Sequence, residues 1–218
     1  MDYIIEVLLY LLEGSKTTLL VFFLTLISIP LGLLLSILRK QNIPFFSSII
    51  DLYTWVIRGT PLLLQIFFVV YGLPILFGRF FLIDELYGAI ITFIINYTAY
   101  FIEIFRGGMN AIPKSQYDAS KALSLSKYQM YRHIVIPQTL HKTLPSIANE
   151  LITLIKDTAL VSAVAISDIL RNTKETVSQD FRVEAYFVAA VIYLCFTYVI
   201  VYLFKRIEKR RLVAYGVS

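Results

Sequence analysis

Charge is scarce in this chain. Of 218 residues only 16% are charged, against about 25% in an average soluble domain. Cysteine is almost missing: Cys195 stands alone inside an apolar run. One thiol forms no internal disulfide, and it reads as a small apolar side chain, buried or facing lipid. Histidine occurs twice, at His133 and His141, with no cluster of cysteine or carboxylate ligands beside them, so no metal site is expected. The phosphate-loop pattern G-x-x-x-x-G-K-[ST] is absent; its nearest approach, Gly72 to Gly78-Arg79, lacks both the lysine and the hydroxyl. No nucleophile elbow or hydrolytic constellation is present, so the chain is not expected to be an enzyme on its own or to carry a cofactor. Zinc-finger spacing and a basic stripe on a polar helix are missing too, and the net charge of +5 therefore does not point to nucleic acid.

Apolar residues fill the space that charge leaves. They make up 58% of the chain, more than the roughly 45–50% of soluble domains, and the natural sink for that excess is lipid. A helix needs about 20 apolar residues to cross a bilayer. Such runs lie at 17–38, 61–77, 86–105, 144–166 and 185–204. The region Ser47–Phe77 is divided by Gly59-Thr60-Pro61. A residue before proline avoids the helical region and proline suits a first turn. We therefore expect a short juxtamembrane helix over Ser47–Arg58 and then a span; one kinked helix is the competing form. Arg106-Gly107-Gly108 is expected to end the third span. Met1–Gly14 carries Asp2, Glu6 and Glu13 in place of a basic leader region, so the first apolar segment is expected to be kept as a span. The expectation is an all-α integral membrane protein, one domain over 1–218, with a long polar segment at 106–143.

Lysine and arginine mark the cytoplasmic side of a membrane protein. Arg39 and Lys40 follow the first span. Arg106, Lys114, Lys121, Lys127, Arg132 and Lys142 lie in the long segment, and Lys205, Arg206, Lys209, Arg210 and Arg211 follow the last span. The opposite side has Lys16, Arg79 and a third loop whose Arg171, Lys174 and Arg182 are offset by Asp168, Glu175, Asp180 and Glu184. This alternation places the N-terminus outside and the long segment and C-terminus in the cytoplasm.

The fourth span carries Asn149, Glu150, Thr153, Lys156 and Asp157. Their i, i+1, i+4, i+7, i+8 spacing puts all five on one helical face. Counted from Leu144, Lys156 lies about 18 Å into the span, where an ionised group costs at least about 2.5 kcal/mol unless it faces protein or water. The stripe is either a solute path with both charge signs, suited to a zwitterion such as an amino acid, or a charge network that locks helices together. Gln65 and Asn96 are weaker members of the same path, or interhelical hydrogen bonds. Glu103 is placed to pair with Arg106 three residues on, and Arg58 to snorkel to the cytoplasmic interface. In the long segment, Pro113 with Ser115-x-x-Asp118 suggests one helix start, and Ser126-x-x-Gln129 a capping box for a second helix that Pro137 closes. The first helix carries a small apolar strip of Ala119, Ala122 and Leu123. It reads as a docking element for another protein or as a solvated connector.

Several of these segments resemble one family. Tyr117-Asp118-Ala119-Ser120, then Ser124 and Ile136-Pro137, is similar to the EAA loop of ABC importer permeases. Arg58-Gly59-Thr60-Pro61-Leu62-Leu63-Leu64-Gln65 resembles the R-G-T-P-L-x-x-Q signature of the polar amino acid branch. Tyr100 to Gly108 and Pro137 to Leu160, with Asn149-Glu150 and Lys156-Asp157-Thr158, resemble that branch as well. The resemblance implies five transmembrane helices per subunit and two permease subunits, identical or related, around one pathway. It also implies cytoplasmic ATPase subunits that bind ATP and Mg, an extracytoplasmic solute-binding protein, and a place in the bacterial cytoplasmic membrane. It puts the ATPase-coupling role on Asp118, Ala119, Ser120, Ala122, Leu123 and Ser124. Asp118 stands where the family has Glu, and Ser124 where it has Gly. Serine at a turn needing positive φ is strained; alternatively, Ser124 caps the next helix. A secondary transporter or channel driven by an ion gradient, and a membrane scaffold for a soluble partner, are the competing functions.

Overall fold

The computed structural model describes residues 2–41 and 43–214. The side chains of Asp2, Arg79 and residues 210–214 lie outside the described set, including Arg79, Arg210 and Arg211 of the charge bias. The described residues form helices and turns without a strand. α1 spans Asp2–Thr25 and α2 Ser28–Lys40, so the first apolar helix begins fifteen residues before the expected start at Thr17. The two are parted at residues 26–27. Pro30 explains the position, because a proline ring clashes with the carbonyl four residues before it, here Leu26. Ile29 N–H turns instead to Leu26 O at 3.0 Å, a tighter three-residue bond.

α3 runs from Pro44 to Arg58, with proline in its first turn. α4 (Leu62–Phe67), a π-helical turn (Phe68–Gly72) and α5 (Leu73–Phe77) continue beyond the Gly59–Pro61 break. The two halves meet at 103°, so the region is two helices and not one bent rod. α6 spans Glu85–Asn110 and stays helical through Arg106-Gly107-Gly108, where the third span is expected to end. Gly108 serves packing: a Cβ there would collide with Thr143 and Thr139 of the neighbouring helix.

α7 covers Lys114–Ala122 and α8 Lys127–Met130. The Ser126–Gln129 capping box forms in both directions. The Ser115–Asp118 box does not, because Pro113 takes the N-cap and Ser115 lies inside the helix. Pro137 does not close α8 either. The chain passes through a π-helical turn (Tyr131–Val135) into α9 (Ile136–Asp157), so Pro137 sits in a continuous helical path, and the widened turn before it takes up the His133 carbonyl that its ring would meet. The fourth span is thus helical from 136, eight residues before the expected start, and ends at Asp157. A 3₁₀ stretch (Thr158–Val164) follows. α10 (Ile169–Asp180) and α11 (Glu184–Ala214) complete the order, with α11 continuing past Phe204 through its basic end.

α6 is the centre of the bundle. Phe93, Tyr97, Phe101 and Phe105 recur every four residues and are fully buried against α1, α2, α9 and the 3₁₀ stretch. Gly32 of α2 has no room for a Cβ against Phe101, and this lets the two backbones approach. Apolar side chains also cover the outside: Phe80 is 90% exposed, Ile75 81% and Phe187 72%. Water would not tolerate such a surface; lipid would. Among the described residues, three helical stretches are long and apolar enough to cross a membrane (3–40, taking α1 and α2 together, 85–110 and 184–209), or four if the bent pair counts as one.

Candidate functional site: a polar cavity beside a broken helix

The break at Gly59–Pro61 takes backbone carbonyls out of the helical ladder, and they need other donors. Gln65 supplies the donors. Its Nε2 donates to Ile57 O at 2.8 Å, to Thr60 Oγ1 at 2.7 Å and to Thr60 O at 3.2 Å. Buried Asn96 of α6 donates to Gln65 Oε1 at 3.0 Å. The pair pins the two half-helices to the centre of the bundle.

Facing this break is a cavity of about 580 Å³. Arg58, Gly59, Thr60 and Pro61 form one wall, Asn96, Tyr97 and Tyr100 of α6 a second, and Glu150, Thr153 and Asp157 of α9 a third. Tyr97 lies about 18 Å along α6 from its start, near mid-helix. Its hydroxyl donates to Asp157 Oδ2 at 2.8 Å. Glu150 and Asp157 are half-buried, and Leu151, Leu154 and Ile155 on the opposite side of α9 are buried in the core. Two carboxylates and one guanidinium therefore face the same space, together with hydroxyls and an amide. That set complements a small solute bearing both an amine and a carboxylate.

The five-residue stripe on α9 divides between two surroundings. Glu150, Thr153 and Asp157 line the cavity. Asn149 lines a smaller cavity of about 180 Å³ between α9 and α11, beside Lys205 and Glu208. Lys156 is exposed and is not among the residues that line the cavity. Gln65 lines an apolar cavity of about 500 Å³ on the other side of the break. Arg58, expected to reach the cytoplasmic interface, lines the cavity and places its guanidinium 5.3 Å from the Tyr100 ring centre and 3.7 Å from Glu103. The break turns α3's last residue inward, which hydropathy alone does not reveal. The expected Glu103–Arg106 pair is present. Tyr97 and Tyr100 were missed, although their spacing from Asn96, one and four residues on, already puts the three on one face. Among the described residues, no group of three or more His, Cys, Asp or Glu is arranged to hold a metal ion.

At the far end of α6, α7 is tied to the bundle. Tyr117 Oη donates to Met109 O at 3.3 Å, and Lys40 lies 5.9 Å from the Tyr117 ring centre. Asp118, Ala119, Ala122, Leu123 and Ser124 are exposed, and Leu123 is 72% exposed. Ser120 is buried, with its hydroxyl donating to Gln116 O at 2.6 Å. Ser124 has φ +53°. Leu125 N–H reaches Ser120 O and Ser124 N–H reaches Lys121 O, the paired bonds that close a helix through a left-handed residue. Ser126, two residues on, is the residue that caps α8.

A helical membrane protein with a charged, mid-helix cavity beside a discontinuous helix has the build of a solute permease. Residues 28–213 match the family described as binding-protein-dependent transport system inner membrane component. The chain is 35% identical over 203 residues to the arginine transport system permease protein ArtQ of Bacillus subtilis, covering 92% of each. It is 34% identical over 202 residues to the glutamine transport system permease protein GlnP of Escherichia coli, again covering 92% of each. A solved structure of an amino acid ABC transporter with histidines superposes with a TM-score of 0.82 at 30% identity, over 92% of this chain and 94% of that one. The inward-facing MetNI methionine ABC transporter shares the fold, with a TM-score of 0.73 at 19% identity over 92% and 95% of the two chains. The chain belongs to the family of binding-protein-dependent transport system inner membrane components, the permease subunits of ABC importers. This membership overturns the ion-gradient alternative.

Proposed function

We propose that the chain is the membrane subunit through which an ATP-driven importer carries a polar amino acid across the bacterial cytoplasmic membrane. The observation that carries the proposal is the cavity in which Arg58, Glu150 and Asp157 face one another beside the broken helix. The relatives named for arginine and glutamine support the substrate class. One domain over 1–218 crosses the bilayer five times. The α3–α5 pair counts as one crossing, and α9, fourth in chain order, brings the number to five, its hydropathy lowered by the polar stripe. The N-terminus lies outside and the C-terminus in the cytoplasm.

α9 presents Asn149, Thr153 and Lys156 uncovered. Such groups at membrane depth face protein or a water-filled path, which is what a second permease subunit, identical or related, would provide. Gln65 and Asn96 brace the path, and the α9 stripe lines it. ATP and Mg bind to separate cytoplasmic ATPase subunits, and a solute-binding protein delivers the amino acid from outside. The exposed edge of α7, with Asp118, Ala119, Ala122, Leu123 and Ser124, docks in a groove of the ATPase, and buried Ser120 holds the inner side of that helix. Closure of the ATPase dimer then shifts the bundle between outward- and inward-open states, to the extent that each ligand prefers one of them.

The test is a mild-detergent pull-down of the tagged chain from its native membranes. A phosphate-loop ATPase should be recovered with it and be lost in Asp118→Arg, which puts a cation on the docking edge. Recovery of the ATPase with the variant at the wild-type level, together with normal transport, would refute the docking role.

A further inference from the structure

Glu103 lies between two arginines. Arg106, one turn further along α6, donates from Nε to Glu103 Oε2 at 2.8 Å and from Nη2 to the same oxygen. Arg58 approaches that oxygen from the cavity side, but its Nη1 stands 3.7 Å away, beyond hydrogen-bond length. The Glu103 side chain is only 17% exposed, whereas that of Arg58 is 42% exposed. Arg58 is thus held loosely, against the Tyr100 ring and beside a carboxylate oxygen that Arg106 already engages twice. Its fork of five donors is left available to the cavity that it lines.

We propose that Arg106, which does not line the cavity, is a positioning residue: by occupying Glu103 it keeps Arg58 free to grip a ligand's carboxylate. The inference rests on the cavity being the amino acid path. A carboxylate as enclosed as Glu103 needs a cationic partner. Without Arg106, the cation at hand is Arg58, whose Nη1 needs to close only about 1 Å to hydrogen-bond Glu103 Oε2. That pair would take up the donors that a ligand carboxylate requires. Glu103 is then a competitor for Arg58, restrained from the cytoplasmic side. The same arrangement joins the cavity to the last turn of α6, close to where α7 is tied.

The test is equilibrium binding of radiolabelled amino acids, the twenty standard ones and cystine, to the purified permease–ATPase complex without the solute-binding protein. Five forms are compared: wild type, Arg58→Ala, Arg106→Gln, Glu103→Gln and the double variant Arg106→Gln/Glu103→Gln. The inference expects Arg106→Gln to weaken binding of the best ligand about tenfold or more, the loss of a charge-assisted hydrogen bond. Glu103→Gln should stay within about threefold of wild type, and the double variant should recover to the same range, a strong non-additivity. A merely structural role for Arg106 predicts no such rescue. Binding by Arg106→Gln equal to wild type, or a double variant as weak as Arg106→Gln, overturns the inference while leaving the cavity assignment standing. Wild type binding none of the probes, or Arg58→Ala binding as wild type does, overturns the cavity assignment itself, and this inference with it.

Discussion

Asp168 shows how much one side chain's meaning depends on packing. In the sequence it is one of four acids offsetting three bases in a polar loop. In the structure it is fully buried, caps α10 through a bond from Arg171 N–H to its Oδ1 at 2.9 Å, and packs where α1 places Gly14. Burial pushes its carboxyl up to about 6, against the pull of backbone N–H groups and Lys174. Because the folded state holds the proton more tightly than the unfolded chain, this stabilisation is full below about pH 4 and is lost as pH rises through about 6, up to about 3 kcal/mol in all. Thermal melting of the purified protein should therefore fall across that window and then level off. Asp168→Asn, which can still cap the helix, should flatten the profile; an unchanged profile would contradict the assignment. Arg58 teaches the same lesson in reverse. Its place at the end of an apolar stretch says nothing of a cavity, and the turn of the backbone after it is what sets it in the cavity wall.

Helices were legible in their interiors and not at their ends. Runs of apolar residues locate the lipid-crossing parts, but backbone hydrogen bonding continues into water, so α6 runs five residues beyond Phe105 and α11 ten beyond Phe204. Prolines mark departures more reliably than they mark stops. Pro30, Pro74 and Pro137 each follow a local loosening that contains the carbonyl four residues back: residues 26–27, the π turn at Phe68–Gly72 and the π turn at Tyr131–Val135. At Pro74 and Pro137 a widened π turn accommodates the ring without ending the helix, whereas at Pro30 a tighter turn parts α1 from α2. The closure of α7 shows a cost that could be read in advance: Ser124 occupies a left-handed position that disfavours any residue with a Cβ by about 1–2 kcal/mol. Ser124→Gly should stabilise the protein by about 1 kcal/mol and raise its melting midpoint by about 2–4 °C. A lower midpoint would mean that the hydroxyl compensates the strain.

For the whole molecule, composition settled the membrane class, because no soluble core of this size hides 58% apolar residues. The family followed from several linked motifs in order, each weak alone. What periodicity did not resolve was how one polar helical face is shared. The 3.6-residue repeat groups Asn149, Glu150, Thr153, Lys156 and Asp157, but the position of α6 turns Glu150, Thr153 and Asp157 into the cavity and leaves Lys156 uncovered. The half-helix break, pinned by Gln65 and Asn96, supplies the remaining wall.

The most direct test of the cavity as the route is ATP-driven amino acid uptake into proteoliposomes containing the complete importer, with Glu150→Ala compared to wild type. Loss of a half-buried carboxylate from the cavity wall should lower uptake about tenfold or more, with the ATPase still recovered in the complex. Uptake at the wild-type rate and with the wild-type concentration dependence would show that the solute does not pass this wall.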